Sequence, residues 1–167
     1  MKKLLIVLSV IFVHSAFSQI TLKEGDAAPD FSLQSDEGKI IKLSDYRDKQ
    51  AVVLYFYPKD FTSGCTKQAC NFRDNISPIQ DQNAVVLGVS VDNAESHKRF
   101  KAEYNLNYTL LADTTKEVAG TYSGLNQYGS ANRVTFIIDK SGIIKKIYPN
   151  VNVNENYAEI IEYLKGM

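Results

Sequence analysis

The sequence predicts one α/β sandwich, in which parallel core strands and an antiparallel edge are covered by helices. Two nearly continuous apolar runs, 51–57 and 84–91, are typical of strands buried on both faces, and the helix expected between them makes the pair parallel. A third run, 134–138, is joined by an Asp-Lys-Ser-Gly turn to a strand over 143–148, which predicts an antiparallel hairpin. The length of 167 residues agrees with one domain.

Shorter patterns place the remaining elements. The segments 31–33 and 39–43 flank a Ser-Asp-Glu-Gly turn, which predicts an N-terminal β-hairpin. Further helices are expected over residues 92–104, 114–119 and 154–164, and the first two begin at residues that can cap a helix. His97 is expected on the surface of the first of these helices. Residues 120–132 have no periodicity and are expected to form a connection without a site.

Residues 1–18 have the pattern of a signal peptide. Two lysines precede an apolar stretch over 4–13, and small residues follow it up to Ser18, where cleavage is expected. The apolar stretch is shorter than the roughly 20 residues of a membrane-spanning helix, so an uncleaved anchor is the weaker alternative. The predicted mature protein is an exported, periplasmic domain over 22–167 without stable membrane association.

Charge and ligand content disfavour several function classes. The 19 basic and 19 acidic residues balance, so a nucleic acid is not an expected partner. The chain has two cysteines and two histidines, and His14 would leave with the signal peptide. Three ligands are too few for a structural zinc site, and no motif anchors a haem or a flavin. Neither a metal nor a cofactor is therefore expected.

The two cysteines, Cys65 and Cys70, lie where the first buried strand gives way to a helix. Cys65 begins an apolar stripe that continues through Ala69 and Phe72, whereas Cys70 lies off this stripe. On an ideal helix, Cα atoms five positions apart are separated by about 8.7 Å. A disulfide needs less than about 7 Å, so the two thiols can pair only if the helix unwinds. This geometry favours redox chemistry over a static structural disulfide, which remains the alternative.

The start of a helix also favours a reactive cysteine. The amide groups of the first turn carry partial positive charge, and a neighbouring guanidinium would add a full charge and directed donors. Both stabilise a thiolate, which is the reactive form. In an exported chain, however, a structural disulfide is the ordinary expectation for two cysteines.

The residues before the first cysteine carry a family resemblance. Pro58, Thr62 and Cys65 have the spacing of the peroxiredoxin signature, and Cys70 follows five residues later. This arrangement resembles the peroxiredoxin Q group, also called bacterioferritin comigratory protein. The similarity extends from about Gly25 to the C-terminus and includes residues 88–92, Ser96-His97 and 133–139.

The resemblance implies a thioredoxin-like fold, with a central mixed sheet, flanking helices and an N-terminal hairpin. It implies reduction of hydrogen peroxide and organic hydroperoxides by Cys65, whose sulfenic acid condenses with Cys70 to an intramolecular disulfide. By the family pattern, Thr62 binds the peroxide, Pro58 shelters the thiolate, and Arg133 polarises the O–O bond. The implied partner is a thioredoxin-like protein reductant, and the expected enzyme is a monomer or weak dimer without a cofactor.

Two other functions remain as alternatives. An exported thiol-disulfide oxidoreductase of the thioredoxin type would share the fold, but such proteins use Cys-X-X-Cys and a facing proline. Here four residues separate the cysteines, and Val134 precedes Thr135 where that proline would stand. A non-enzymatic exported module with a structural disulfide is the second alternative, and peroxide would leave such a protein unchanged.

Overall fold

The computed structural model describes residues 20–167, so the signal peptide predicted over residues 1–18 lies outside the described residues. The strands are β1 (Ser32–Ser35), β2 (Ile40–Lys42), β3 (Ala51–Phe56), β4 (Ala84–Ser90), β5 (Thr109–Ala112), β6 (Val134–Ile138) and β7 (Ile144–Tyr148). The α-helices are α1 (Ser63–Asp74), α2 (Ile76–Gln80), α3 (Ala94–Tyr104), α4 (Glu117–Tyr122) and α5 (Asn156–Lys165), and a short 3-10 helix covers Leu43–Tyr46.

The strands form one mixed sheet in the order β2-β1-β5-β4-β3-β6-β7. The central strands β3, β4 and β5 are parallel, while β1 with β2 and β6 with β7 are antiparallel pairs. The predicted parallel pair and both predicted hairpins are confirmed. The pattern missed β5, because its apolar residues are too few to distinguish a short strand from a loop.

Side chains alternate along β3 and fill two cores, one on each face of the sheet. Leu54 and Phe56 belong to the core that α4 covers. Val53 and Tyr55 belong to the opposite core, to which α1, α2, α3 and α5 contribute. The face that holds Tyr55 therefore also holds α1, the helix that carries both cysteines.

The helix boundaries show which capping predictions were correct. Asp92 and Asn93 could each cap the helix predicted over 92–104, and it is Asn93 that caps α3, since its side chain accepts a hydrogen bond from the Ser96 backbone N–H at 2.9 Å. The helix expected over 114–119 instead begins at Glu117. Asp113 determines this start, because its carboxylate accepts the Ala119 backbone N–H at 2.7 Å. None of the helices among residues 20–167 is long and apolar enough to span a membrane.

Candidate active site

A tight loop joins the end of β3 to α1 and holds the first cysteine at a helix start. Phe61 in this loop has a positive φ of 60°, which is unusual for a bulky residue and turns the chain sharply. Thr62 is the N-cap residue of α1, and Cys65 is therefore in the first turn. The Cys65 side chain is buried, at 2 % exposure, whereas Thr62 is exposed.

Arg133 contacts the sulfur of Cys65. It immediately precedes β6, and the pairing of Val134 with Phe56 brings it to the end of β3 where α1 begins. Its Nη2 atom donates to Cys65 Sγ at 3.2 Å, and its Nη1 atom donates to Gln68 Oε1 at 2.5 Å. The guanidinium and the amides of the first helical turn both place positive charge near the sulfur.

Thr62 lies beside this pair with its hydroxyl directed into the loop. Its Oγ1 donates to the Lys59 carbonyl at 3.1 Å and makes no cap to the helix. Since a hydroxyl has one proton, both lone pairs of Thr62 Oγ1 are left to accept. Pro58 is half-buried in the same loop. The structure thus brings Arg133 into contact with Cys65 and places Pro58 and Thr62 in the loop that leads into α1.

Cys70 lies on the same helix but in a later turn. The helix α1 is continuous from Ser63 to Asp74, and both cysteines are free thiols. Cys65 is buried in the core, and Cys70 is half-buried. The expectation that an intact helix keeps the two cysteines from pairing therefore agrees with the structure.

Gln68 is a site residue that sequence reasoning missed. It is buried, its Oε1 accepts from Arg133, and its Nε2 has no hydrogen-bond partner among residues 20–167. The available signal was its position three residues after Cys65, because residues at i and i+3 share a helix face. Gln68 binds one amino group of the Arg133 guanidinium while the other contacts the Cys65 sulfur, so it helps to orient the guanidinium.

The prediction that His97 lies on the surface is wrong. Its side chain is fully buried, with Nδ1 2.9 Å from Asp60 Oδ2 and Nε2 3.1 Å from the Leu111 carbonyl oxygen. Since a carbonyl only accepts, Nε2 carries a proton. The missed signal was spacing, because His97 stands three residues before Phe100 on the buried face of α3.

Asp60 connects this histidine to the active-site loop. Its carboxylate accepts from the Tyr57 hydroxyl at 2.8 Å and from the Ser96 hydroxyl at 2.7 Å, and its backbone N–H donates to Asp92 at 2.9 Å. Burial alone would raise the pKa of Asp60, but the hydrogen bond and charge of His97, with the two hydroxyl donors, outweigh it and lower the pKa. The buried pair of Asp60 and His97 thus holds the loop in place two residues before Thr62.

Comparison with known proteins gives one family. The model of the AhpC/TSA family matches residues 24–147. Peroxiredoxin Bcp of Bacillus subtilis is 41% identical over 155 residues, which cover 89% of this chain and 98% of that protein. A putative peroxiredoxin bcp of Coxiella burnetii is 41% identical over 149 residues, covering 85% and 98%. The chloroplastic peroxiredoxin Q of Oryza sativa subsp. japonica is also 41% identical over 149 residues, covering 87% and 68%.

Solved structures agree with the fold that the sequence predicts. Peroxidoxin BcpB from Mycobacterium tuberculosis superposes with a TM-score of 0.82 at 28% identity, covering 87% of this chain and 98% of that chain. A cysteine-to-serine mutant of PrxQ from Xylella fastidiosa has the same TM-score and identity, covering 87% and 96%. These matches confirm the thioredoxin-like fold and the likeness to the peroxiredoxin Q group.

The predicted exported, periplasmic location is wrong. The bacterial relatives above are not named as exported proteins, and the plant relative is named as chloroplastic. The prediction depended entirely on the charge and hydropathy of residues 1–18, which lie outside the described residues. A short apolar stretch after two lysines is a local composition pattern that does not by itself specify a location.

Proposed function

This chain belongs to the AhpC/TSA family and is a peroxiredoxin, a thiol-dependent peroxidase, and on that premise we propose that Cys65 is its peroxidatic residue. The observation that carries the proposal is the contact between Arg133 and the Cys65 sulfur at 3.2 Å. A buried sulfur in the first turn of a helix, with a guanidinium against it, has the surroundings that a nucleophilic thiolate requires. The proposed substrates are hydrogen peroxide and organic hydroperoxides.

In the first step, the Cys65 thiolate attacks the distal oxygen of the hydroperoxide. An S–O bond forms, the O–O bond breaks, and the leaving oxygen departs as hydroxide or alkoxide and takes a proton from solvent. Arg133 would stabilise the charge that develops on the reacting oxygens, because its donors are already positioned beside the sulfur. The product on the protein is a Cys65 sulfenic acid.

Thr62 and Pro58 have supporting roles in this step. The Thr62 proton is directed to the Lys59 carbonyl, so its oxygen is available to accept the O–H of a bound hydroperoxide. That bond would orient the distal oxygen towards the sulfur. Pro58, half-buried in the same loop, would limit the access of water to the thiolate.

In the second step, the Cys70 thiol attacks the sulfenic sulfur, a disulfide forms, and water leaves. The helix between the two cysteines must unwind for this step, because an intact helix holds their Cα atoms about 8.7 Å apart. The disulfide protects Cys65 from further oxidation to sulfinic acid. A thioredoxin-like dithiol then reduces the disulfide by exchange, and all electrons come from thiols, so no cofactor is required. One chain contains both cysteines, so a monomer or weak dimer would suffice.

The test uses the reduced full-length protein, its Cys65→Ser and Cys70→Ser variants, and one equivalent of hydrogen peroxide. Free thiols and intact mass are followed with time. We expect rapid loss of both thiols in the wild type, a trapped sulfenic acid at Cys65 in Cys70→Ser, and no reaction in Cys65→Ser. A wild type that reacts no faster than a free thiol would contradict the proposal.

A further inference from the structure

A tyrosine from outside α1 binds the backbone of this helix between the two cysteines. Tyr108, directly before β5, donates its hydroxyl proton to the Ala69 carbonyl at 3.2 Å. Ala69 lies after Cys65 and before Cys70. Among residues 20–167, the only other bond from outside α1 to its backbone between these cysteines is that of the helix's own N-cap, where the Thr66 N–H donates to the Thr62 carbonyl at 2.8 Å.

A second tyrosine supports the first. Tyr55 Oη lies 2.9 Å from Tyr108 Oη. The Tyr108 hydroxyl has one proton, which is directed to a carbonyl that can only accept, so Tyr55 must be the donor to Tyr108. The bonds therefore run in one direction, from Tyr55 to Tyr108 to the carbonyl of Ala69, and we call them the hydroxyl chain. Burial raises the pKa of both phenols far above neutrality, so both hydroxyls of the hydroxyl chain keep their protons at physiological pH.

The sheet contains a space for this hydroxyl chain. Gly88 of β4 pairs with Tyr55 of β3 and with Leu110 of β5. A Cβ atom at Gly88 would lie 2.7 Å from both Cζ and Oη of Tyr55 and 2.8 Å from Leu110 Cδ2. The glycine is needed for Tyr55 to pass over β4 and reach Tyr108. The two tyrosines are 1% and 6% exposed, so their hydroxyls have no solvent to replace a lost partner.

Other bonds hold the second half of α1 independently. The Asn71 side chain donates to the Val153 carbonyl at 2.7 Å, and Arg73 donates to the Tyr104 carbonyl at 2.6 Å. These bonds lie after Cys70 and need not break when the segment between the cysteines unwinds. The bond from Tyr108, in contrast, must be released or displaced, because Ala69 belongs to that segment.

We propose that the hydroxyl chain holds the segment between the cysteines in its helical form, and that Tyr108 thereby sets the rate at which Cys70 reaches the Cys65 sulfenic acid. This inference rests on the proposed function. Tyr108 is a positioning residue, since it acts through the Ala69 backbone and touches neither the substrate nor the sulfur atoms in any contact described above. Loss of its hydroxyl is expected to accelerate disulfide formation while leaving sulfenic acid formation and the stability of the sheet unchanged.

The first test compares Tyr108→Phe with Tyr163→Phe. Tyr163 is a matched control, because its hydroxyl also donates to a main-chain carbonyl, that of Lys145 at 2.9 Å, away from α1. After excess peroxide, rapid quenching and intact-mass analysis give the rates of sulfenic acid and disulfide formation. We expect Tyr108→Phe to form the disulfide about fivefold faster than the control, which is about 1 kcal/mol at 1.4 kcal/mol per tenfold. Sulfenic acid formation is expected to stay within twofold.

A second variant keeps the test valid if an unpaired Tyr55 hydroxyl disrupts the core. Tyr55→Phe combined with Tyr108→Phe removes both hydroxyls and leaves neither unpaired, and it should accelerate disulfide formation equally. Amide hydrogen exchange of the reduced proteins provides a readout that does not require peroxide. Exchange over residues 66–70 should rise about fivefold, with no change in β4.

The outcomes separate the two hypotheses. If Tyr108→Phe forms the disulfide and exchanges its amide hydrogens over residues 66–70 at the same rates as Tyr163→Phe, the role of the hydroxyl chain is overturned and the proposed function remains intact. Exchange that rises equally in β4 would also overturn it, because the substitution would then only destabilise the fold. A wild type that forms no disulfide would overturn the proposed function, whatever the exchange over residues 66–70.

Discussion

Replacement of Arg133 tests the contact on which the proposed chemistry depends. Arg133→Met keeps much of the aliphatic side chain but removes the donors to Cys65 Sγ at 3.2 Å and to Gln68 Oε1 at 2.5 Å. A hydrogen bond that involves a charged group contributes about 1.5–3 kcal/mol. Each 1.36 kcal/mol changes a rate tenfold, so loss of the sulfur contact should slow sulfenic acid formation by about 10-fold to 150-fold.

The assay isolates the first step by placing the substitution in a Cys70→Ser background. The rate is measured with a reagent that traps sulfenic acid after a single addition of hydrogen peroxide. Arg133→Lys keeps the charge but loses the fork of donors, so its rate should lie between those of the parent and Arg133→Met. Arg99→Met removes a charge from an exposed position on α3 and serves as the control. A rate for Arg133→Met within threefold of this control would refute the reasoning.

Three further outcomes are expected. Thr62→Val should slow sulfenic acid formation about tenfold, because one hydrogen bond to the hydroperoxide is lost, and Thr62→Ser should restore most of the rate in the same trapping assay. His97→Leu leaves the buried Asp60 charge without its main partner, so urea unfolding should show a loss of about 3 kcal/mol that exposed Lys98→Ala does not. Since the pKa of Asp60 is lowered in the folded state, its stabilisation is complete above its unfolded pKa of about 3.9 and is lost as pH falls through the folded value. The free energy of unfolding should therefore decline below about pH 4 in the wild type, and an equal decline in Asp60→Asn would contradict this assignment.

The parts of the fold that the sequence predicts are those fixed by local patterns. The run over 51–57 is apolar at nearly every position, because β3 lies at the centre of the sheet and is buried on both faces. The cap of α3 could be narrowed to Asp92 or Asn93, because the bond from the Ser96 N–H to Asn93 involves only neighbouring residues. The start of α4 was misplaced because Asp113 binds a backbone N–H six residues away, beyond the reach of a capping rule.

The site was predictable to a different extent at each residue. The position of Cys65 at a helix start follows from the strand and helix patterns alone. Arg133 entered only through the family resemblance, because its contact with Cys65 depends on the pairing of β6 with β3, which no local pattern specifies. His97 was misjudged because a histidine on a helix is usually exposed, whereas here Asp60 provides a buried partner from a distant loop.

The proposed cycle places opposing requirements on the first half of α1. Peroxide reduction needs the intact helix start, since the amide groups and Arg133 act on the sulfur only when Cys65 occupies the first turn. Disulfide formation needs the same segment to unwind. Both steps can be fast only if the helical form is favoured by a small margin, so that unwinding follows oxidation within the lifetime of the sulfenic acid. The few bonds to this segment, from Arg133 to Gln68 and from Tyr108 to Ala69, are consistent with such a margin, because each contributes only about 0.5–3 kcal/mol.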